Sequence, residues 1–161
     1  MRPSRQQMFI MMARAAAMRS TCFRLNVGAI VVIDNRPVSL GYNGAPAGRP
    51  HCTGNACPGR LHCRETLHAE VNALEHVPWA IEGSDTRYSG RHWDLYTTHS
   101  PCEECLSRIV DEGMVKRIFF EVPYRKTTHM AGLKSTYGIE IYQVNPAGYV
   151  VEYDTGDVVE L

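Results

Sequence analysis

Long hydrophobic runs are what this chain lacks most plainly. Its longest apolar stretch lies near residues 27–33, well short of the roughly 20 residues a membrane-spanning helix needs. No membrane partner is expected. A surplus of charge is missing too: 17 Lys and Arg stand against 17 Asp and Glu in 161 residues. A protein that grips polynucleotides wants a basic groove, so no nucleic-acid partner is expected either. Internal repeats, low-complexity tracts and linkers are absent. Residues 1–161 therefore read as a single domain, long enough to bury a core without disulfide staples.

Acidic residues are missing from the first 26 positions, which carry Arg2, Arg5, Arg14, Arg19 and Arg24. Three readings compete for this basic end. One is a solvated helix face. Another is a phosphate-binding arginine, with Arg24 as the candidate. The third is a transit or signal peptide, against which Arg14 interrupts the apolar run and the next strand needs this helix as cover.

What the chain does have is six cysteines: Cys22, Cys52, Cys57, Cys63, Cys102 and Cys105. A secreted disulfide framework is one use for them. Cys102 and Cys105 form a Cys-x-x-Cys, however, with a candidate His upstream. Metal ligation by reduced thiolates in a cytoplasmic compartment is the preferred reading.

The periodicity predicts a helix over 4–19, with Met8, Met11, Met12, Ala15 and Ala16 facing a core. Val27 to Ile33 reads as a buried strand, Asp34-Asn35 as a turn, and Val38 to Tyr42 as its hairpin partner. Residues 43–66 show little periodicity, and a stretch that long needs a function or a metal to order it. A helix follows over 68–77, then an irregular insertion over 78–92, then a short strand over 95–98. Residues 100–112 read as a helix opened by a Ser100/Glu103 capping box with Pro101 at its first position and stopped by Gly113. Strands over 117–122 and 139–144 flank a weaker helix near 128–137, and the tail reads as a hairpin around Thr155-Gly156-Asp157. These alternations predict an α/β fold, a three-layer α/β/α sandwich with a mixed central sheet.

Two segments carry chemistry: His68-Ala69-Glu70 and Pro101-Cys102-Glu103-Glu104-Cys105. Alone each is weak. His-x-Glu arises by chance, and Cys-x-x-Cys occurs in redox motifs and zinc ribbons. Together they match the signature of zinc-dependent nucleobase deaminases. One imidazole and two thiolates hold three corners of a tetrahedral Zn²⁺ and leave one for water. Glu70 is then a carboxylate beside the metal that is not a ligand. Placing the two cysteines in the first turns of a helix favours thiolate over thiol.

With Val27-Gly28-Ala29 and Gly41-Tyr42-Asn43-Gly44, these segments make residues of about 20–145 resemble the cytidine/deoxycytidylate deaminase family. The closest likeness is to dCMP deaminases of bacterial, archaeal and phage type. The resemblance implies a cytidine deaminase-like fold and hydrolysis of dCMP to dUMP. His68, Cys102 and Cys105 would bind the catalytic zinc. Glu70 would take a proton from the zinc-bound water, deliver it to N3, and shuttle another to the departing ammonia. Asn43 would bind base or deoxyribose and Arg24 the 5′-phosphate; Tyr124, after the fourth strand, is either a wall of the nucleotide pocket or an ordinary strand-end tyrosine. Cys22, Cys52, Cys57 and Cys63 would form a structural zinc site, with His51 or His62 able to substitute. The family further implies hexamers, dCTP and dTTP as effectors accompanied by Mg²⁺, and an effector site near Gly41 and Gly44. Deaminases of dCTP, 5-modified dCMP or a free nucleoside or base share this zinc core. A zinc-stabilised binding module without catalysis is the reading of another class, and Glu70 counts against it.

Overall fold

The computed structural model describes residues 2–52, 66–77, 91–125 and 127–161. The expected insertion at 78–92 lies outside them except for its last two residues. Among the described residues seven strands form one sheet in the order β2-β1-β3-β4-β5-β6-β7. They are β1 Gly28–Ile33, β2 Arg36–Tyr42, β3 Trp93–His99, β4 Val115–Val122, β5 Glu140–Val144, β6 Val150–Glu152 and β7 Val158–Val159. β1 runs antiparallel to both β2 and β3, whereas β3, β4 and β5 are mutually parallel. The tail closes the far edge with antiparallel β6 and β7. The sheet is mixed, as the sequence pattern implies.

Burial on both faces explains the unbroken apolar run of β1, every residue of which is buried. Ala29, Val31 and Ile33 belong to one buried cluster with residues of helices α2 (Ala69–Glu75), α3 (Glu103–Glu112) and α4 (Leu133–Tyr137). Ile30 and Val32 pack under helix α1 (Arg5–Ala17) on the opposite face. That makes three layers. The β1–β2 hairpin turns at Asp34 and Asn35, both left-handed with φ of 50° and 61°. This is the two-residue turn whose twist suits antiparallel strands.

The face that α1 buries differs from the expected one. Met8 and Met11 are solvent-exposed, and the buried side is Gln6, Phe9, Ile10, Ala13, Ala16 and Ala17. Two contacts decide this. Phe9 enters a column of rings, 4.9 Å from Tyr96, which stacks at 4.4 Å on Phe119, which lies 5.0 Å from Tyr142. Ala13 and Ala17 lie against Gly28 so closely that a Cβ there would fall 2.0 Å from the Ala13 carbonyl oxygen. Bulky methionines cannot occupy that seam. Ser4 caps α1, its hydroxyl accepting the Gln7 N–H at 3.2 Å while its own N–H donates to the Gln7 side chain at 2.8 Å.

The start of α3 also departs from expectation. Cys102, not Ser100, is the N-cap, and no side chain caps the helix. Pro101 lies outside it. β3 runs on to His99, and Ser100 continues the pairing by donating its N–H to Val122. The Ser100 hydroxyl accepts the Tyr124 N–H at 2.7 Å, so it is spent across the sheet edge rather than on the helix. Farther on, the expected helix at 128–137 divides into a 3₁₀ turn, Thr128–Met130, and α4.

Because α1 and β1 meet backbone to backbone at Gly28, a Gly28→Ala substitution should force them apart. The expected loss is about 1–3 kcal/mol of stability, read as a lower midpoint in urea unfolding. An unchanged midpoint would contradict the packing described.

Candidate active site and metal centre

Three donors converge at the carboxyl-terminal end of β3, the edge where open α/β sheets bind their ligands. His68 is the N-cap of α2, Cys102 the N-cap of α3, and Cys105 lies in the first turn of α3. The His68 Nδ1 is 3.4 Å from the Cys102 sulfur and 3.1 Å from the Cys105 sulfur. All three ligand atoms lie within 4.8 Å of one another. In a tetrahedral zinc site the nitrogen–sulfur separation is about 3.5 Å, given bonds of roughly 2.0 and 2.3 Å. The donor set therefore fits zinc in both chemistry and spacing. Among the described residues no fourth His, Cys, Asp or Glu joins the cluster, as a hydrolytic site with one open position requires.

Electrostatics in the cluster point the same way. The Cys105 thiol and then His68 donate to the Cys102 sulfur, and its pKa is pushed down to about 3. Cys105 moves strongly upward, because it gives its hydrogen to Cys102 and is buried. His68 is raised by its bond to Cys102. A divalent cation displaces the protons that such donors carry. Glu70, on the first turn of α2, is only 5% exposed. Burial pushes its carboxyl above the ordinary range, and its Oε2 lies 3.6 Å from the Cys105 sulfur. A protonatable carboxylate is therefore aimed at the metal position without competing for it.

His68, Glu70 and Cys102 face a cavity of about 90 Å³ that Arg24, Asn43 and Tyr124 also line. The structure so brings Glu70, His68, Cys102 and Cys105 together with Arg24, Asn43 and Tyr124, to which the sequence reading gives catalytic, zinc-binding and substrate-binding roles. It also shows how Asn43 is used. Its buried Oδ1 accepts from the Ser20 hydroxyl at 2.7 Å and the Val27 N–H at 2.8 Å, and its Nδ2 donates to the Leu25 carbonyl at 2.7 Å. Asn43 clasps the 20–27 segment that carries Arg24, leaving one N–H for any ligand. Arg14 is engaged elsewhere, with its Nε 2.8 Å from the buried Glu121.

Gly41 and Gly44 hold structure here. A Cβ at Gly41 would lie 2.4 Å from both the Ala69 oxygen and the Ala73 nitrogen, so α2 rests directly on β2. Gly44 pairs with Leu67, just before His68, and abuts the Thr21 hydroxyl. Cys22 and Cys52 are half-buried in the cavity wall, and His51 is exposed. Cys57, Cys63 and His62 lie outside the described residues. Sequence reasoning missed His99 and Ser100 as lining residues. Their position between a strand and the Pro-Cys pair was the available signal.

Comparison with known proteins agrees with this geometry. The family model for the cytidine and deoxycytidylate deaminase zinc-binding region matches residues 3–122. The chain is 35% identical over 133 residues to the deoxycytidylate deaminase of Mycobacterium phage D29, covering 73% of this chain and 95% of that protein. It is 33% identical over 154 residues to the deoxycytidylate deaminase of Schizosaccharomyces pombe, covering 90% of this chain but 45% of the relative, and so spans less than half of that protein's length. Among solved structures, the dCMP deaminase of cyanophage S-TIM5 in complex with dCMP and dUMP superposes with a TM-score of 0.69 at 29% identity, over 89% of this chain and 98% of that one. With three zinc donors gathered at two helix starts and the family model spanning them, the chain belongs to the cytidine and deoxycytidylate deaminase family.

Proposed function

We propose that this chain is a zinc-dependent dCMP deaminase that hydrolyses dCMP to dUMP and ammonia, its residues 1–161 acting as one domain. The observation that carries the reading is the meeting of His68, Cys102 and Cys105 beside the buried, non-ligating Glu70. A purely structural metal site has no use for that carboxylate. The phage and yeast relatives named deoxycytidylate deaminase, and the cyanophage enzyme with dCMP and dUMP bound, support the substrate.

His68 and the two cysteine sulfurs would hold the zinc, which when bound supplies a water acidic enough to ionise near neutral pH. Glu70 does the proton work. Its desolvated carboxylate is a strong enough base to take a proton from the attacking water and an acid able to release it to N3 of the ring. The same group carries a second proton to the amine as it departs. Arg24 meets the 5′-phosphate, for which a guanidinium fork is suited. Tyr124 walls the pocket, and Asn43 offers its remaining N–H to base or sugar.

The finer readings rest on the family resemblance. Cys22, Cys52, Cys57 and Cys63 would bind a second, structural zinc, supported by the two described members standing in the cavity wall. Hexamers, and dCTP and dTTP with Mg²⁺ as effectors near Gly41 and Gly44, belong to the same proposal. An effector there would act on backbone that touches both α2 and the 20–27 segment. Thiolate ligands suit a reducing, cytoplasmic compartment, and no described helix is long and apolar enough to cross a membrane.

Glu70→Ala should retain zinc yet lose dCMP turnover by about 10²-fold or more, followed as ammonia release; near-normal rates would remove Glu70 from the mechanism. Arg24→Ala should lose activity on dCMP while sparing deoxycytidine, and equal losses on both would refute a phosphate contact. Elemental analysis should find two zinc ions per chain, whereas a single one eliminates the structural site.

A further inference from the structure

One polar side chain of the cavity takes no part in the steps above. His99 ends β3, is half-buried, and lines the cavity together with Glu70 and Tyr124. Its ring meets Tyr124 edge-on, with centroids 6.4 Å apart and planes at 90°. Its Nδ1 lies 3.1 Å from the Thr98 hydroxyl. Thr98 is 5% exposed, and its oxygen already accepts the Gly28 backbone N–H at 3.2 Å.

That second bond settles the direction of the first. With one lone pair of the Thr98 oxygen taken by Gly28, the hydroxyl hydrogen still needs an acceptor. Among the described residues His99 Nδ1 is the acceptor in reach. Were Nδ1 to donate instead, a buried hydroxyl hydrogen would go unpaired, which is costly. The Thr98 hydroxyl therefore donates to Nδ1, and the ring proton resides on Nε2. Burial pushes the imidazole below its ordinary pKa, with Glu121 acting the other way, which favours the neutral ring.

We propose that His99 is a substrate-contacting residue, its Nδ1 held by the Thr98 hydroxyl and its Nε2–H presented as a hydrogen-bond donor to the pyrimidine, with Thr98 as the positioning residue. The inference rests on the dCMP reading above. The base is the favoured target because His99 shares its wall with Glu70 and with the Ser100–Cys102 loop, where a ring must lie for Glu70 to reach N3. A neutral donor suits a ring carbonyl, and Arg24 is the stronger partner for phosphate. The 2-carbonyl of cytosine persists in uracil, so the bond holds substrate and transition state alike. Such uniform binding appears in KM and not in kcat.

The test uses the zinc-loaded enzyme. His99→Phe keeps the ring and its edge contact with Tyr124 but removes both nitrogens. KM for dCMP should rise roughly three- to tenfold, the worth of one neutral hydrogen bond, with kcat and zinc content unchanged. Long-range ¹⁵N correlation spectra of His99 should show the Nε2–H tautomer in the wild type and in Thr98→Ser, with the Nδ1 resonance shifted in Thr98→Val, where its hydroxyl donor is gone. Should Thr98→Val not fold, the wild-type spectrum and the serine variant still decide. An Nδ1–H tautomer in the wild type, or a His99→Phe variant with unchanged KM, overturns the proposal while leaving dCMP deamination standing. A wild type that shows the Nε2–H tautomer but deaminates no dCMP overturns the dCMP reading and the pyrimidine contact with it.

Discussion

Two helix starts must be held within reach of one ion, and the rest of the site is arranged around that requirement. His68 opens α2 and Cys102 opens α3, and neither helix carries a side-chain cap. The residues that would normally cap them are turned toward each other instead. Unsatisfied N–H groups at these ends favour negative charge nearby, which matches two sulfurs that must ionise to bind metal. A requirement of ligation therefore takes precedence over the capping chemistry that a helix of this kind usually shows.

Backbone contact, more than side-chain packing, sets the distances. Gly41 lets α2 rest on β2, and Gly28 lets α1 rest on β1. Ser39 adds a hydrogen bond to the Ala73 carbonyl at 2.6 Å, and Asn72 one to the Tyr42 carbonyl at 2.8 Å. Both tie α2 to the sheet edge. With α2 fixed this way, His68 and Glu70 have little freedom relative to the end of β3. Catalytic groups held on rigid elements keep the geometry that proton transfer needs.

The Gly41-Tyr42-Asn43-Gly44 segment joins the His68 end of the cavity to the segment that carries Arg24. Gly41 touches the helix that carries His68, and Gly44 pairs with Leu67 immediately before it. Asn43 lies between them and clasps the segment bearing Arg24 through three side-chain hydrogen bonds. Burying an amide is tolerable only when its groups are paired, and here that pairing also shapes the wall.

Much of this was legible in the sequence. Residue type and spacing picked out His68, Glu70, Cys102 and Cys105, which the fold brings together, because few chemistries use an imidazole, a nearby carboxylate and a Pro-Cys-x-x-Cys together. The apolar run of β1 and the Asp34-Asn35 turn determined the opening hairpin, since both are local properties of the backbone. Other features needed the tertiary structure. Methionine and alanine recur on more than one side of α1, so periodicity alone could not choose its buried face, and the backbone seam at Gly28 and the ring column from Phe9 chose it. Ser100 has the residue type and spacing of a helix cap, but its hydroxyl accepts the Tyr124 N–H, which the segment following β4 brings to it. The clasp made by Asn43 and the Gly28–Thr98 bond behind His99 depend on groups distant in sequence, and hydrogen bonds between such groups exist only once the sheet has brought them together.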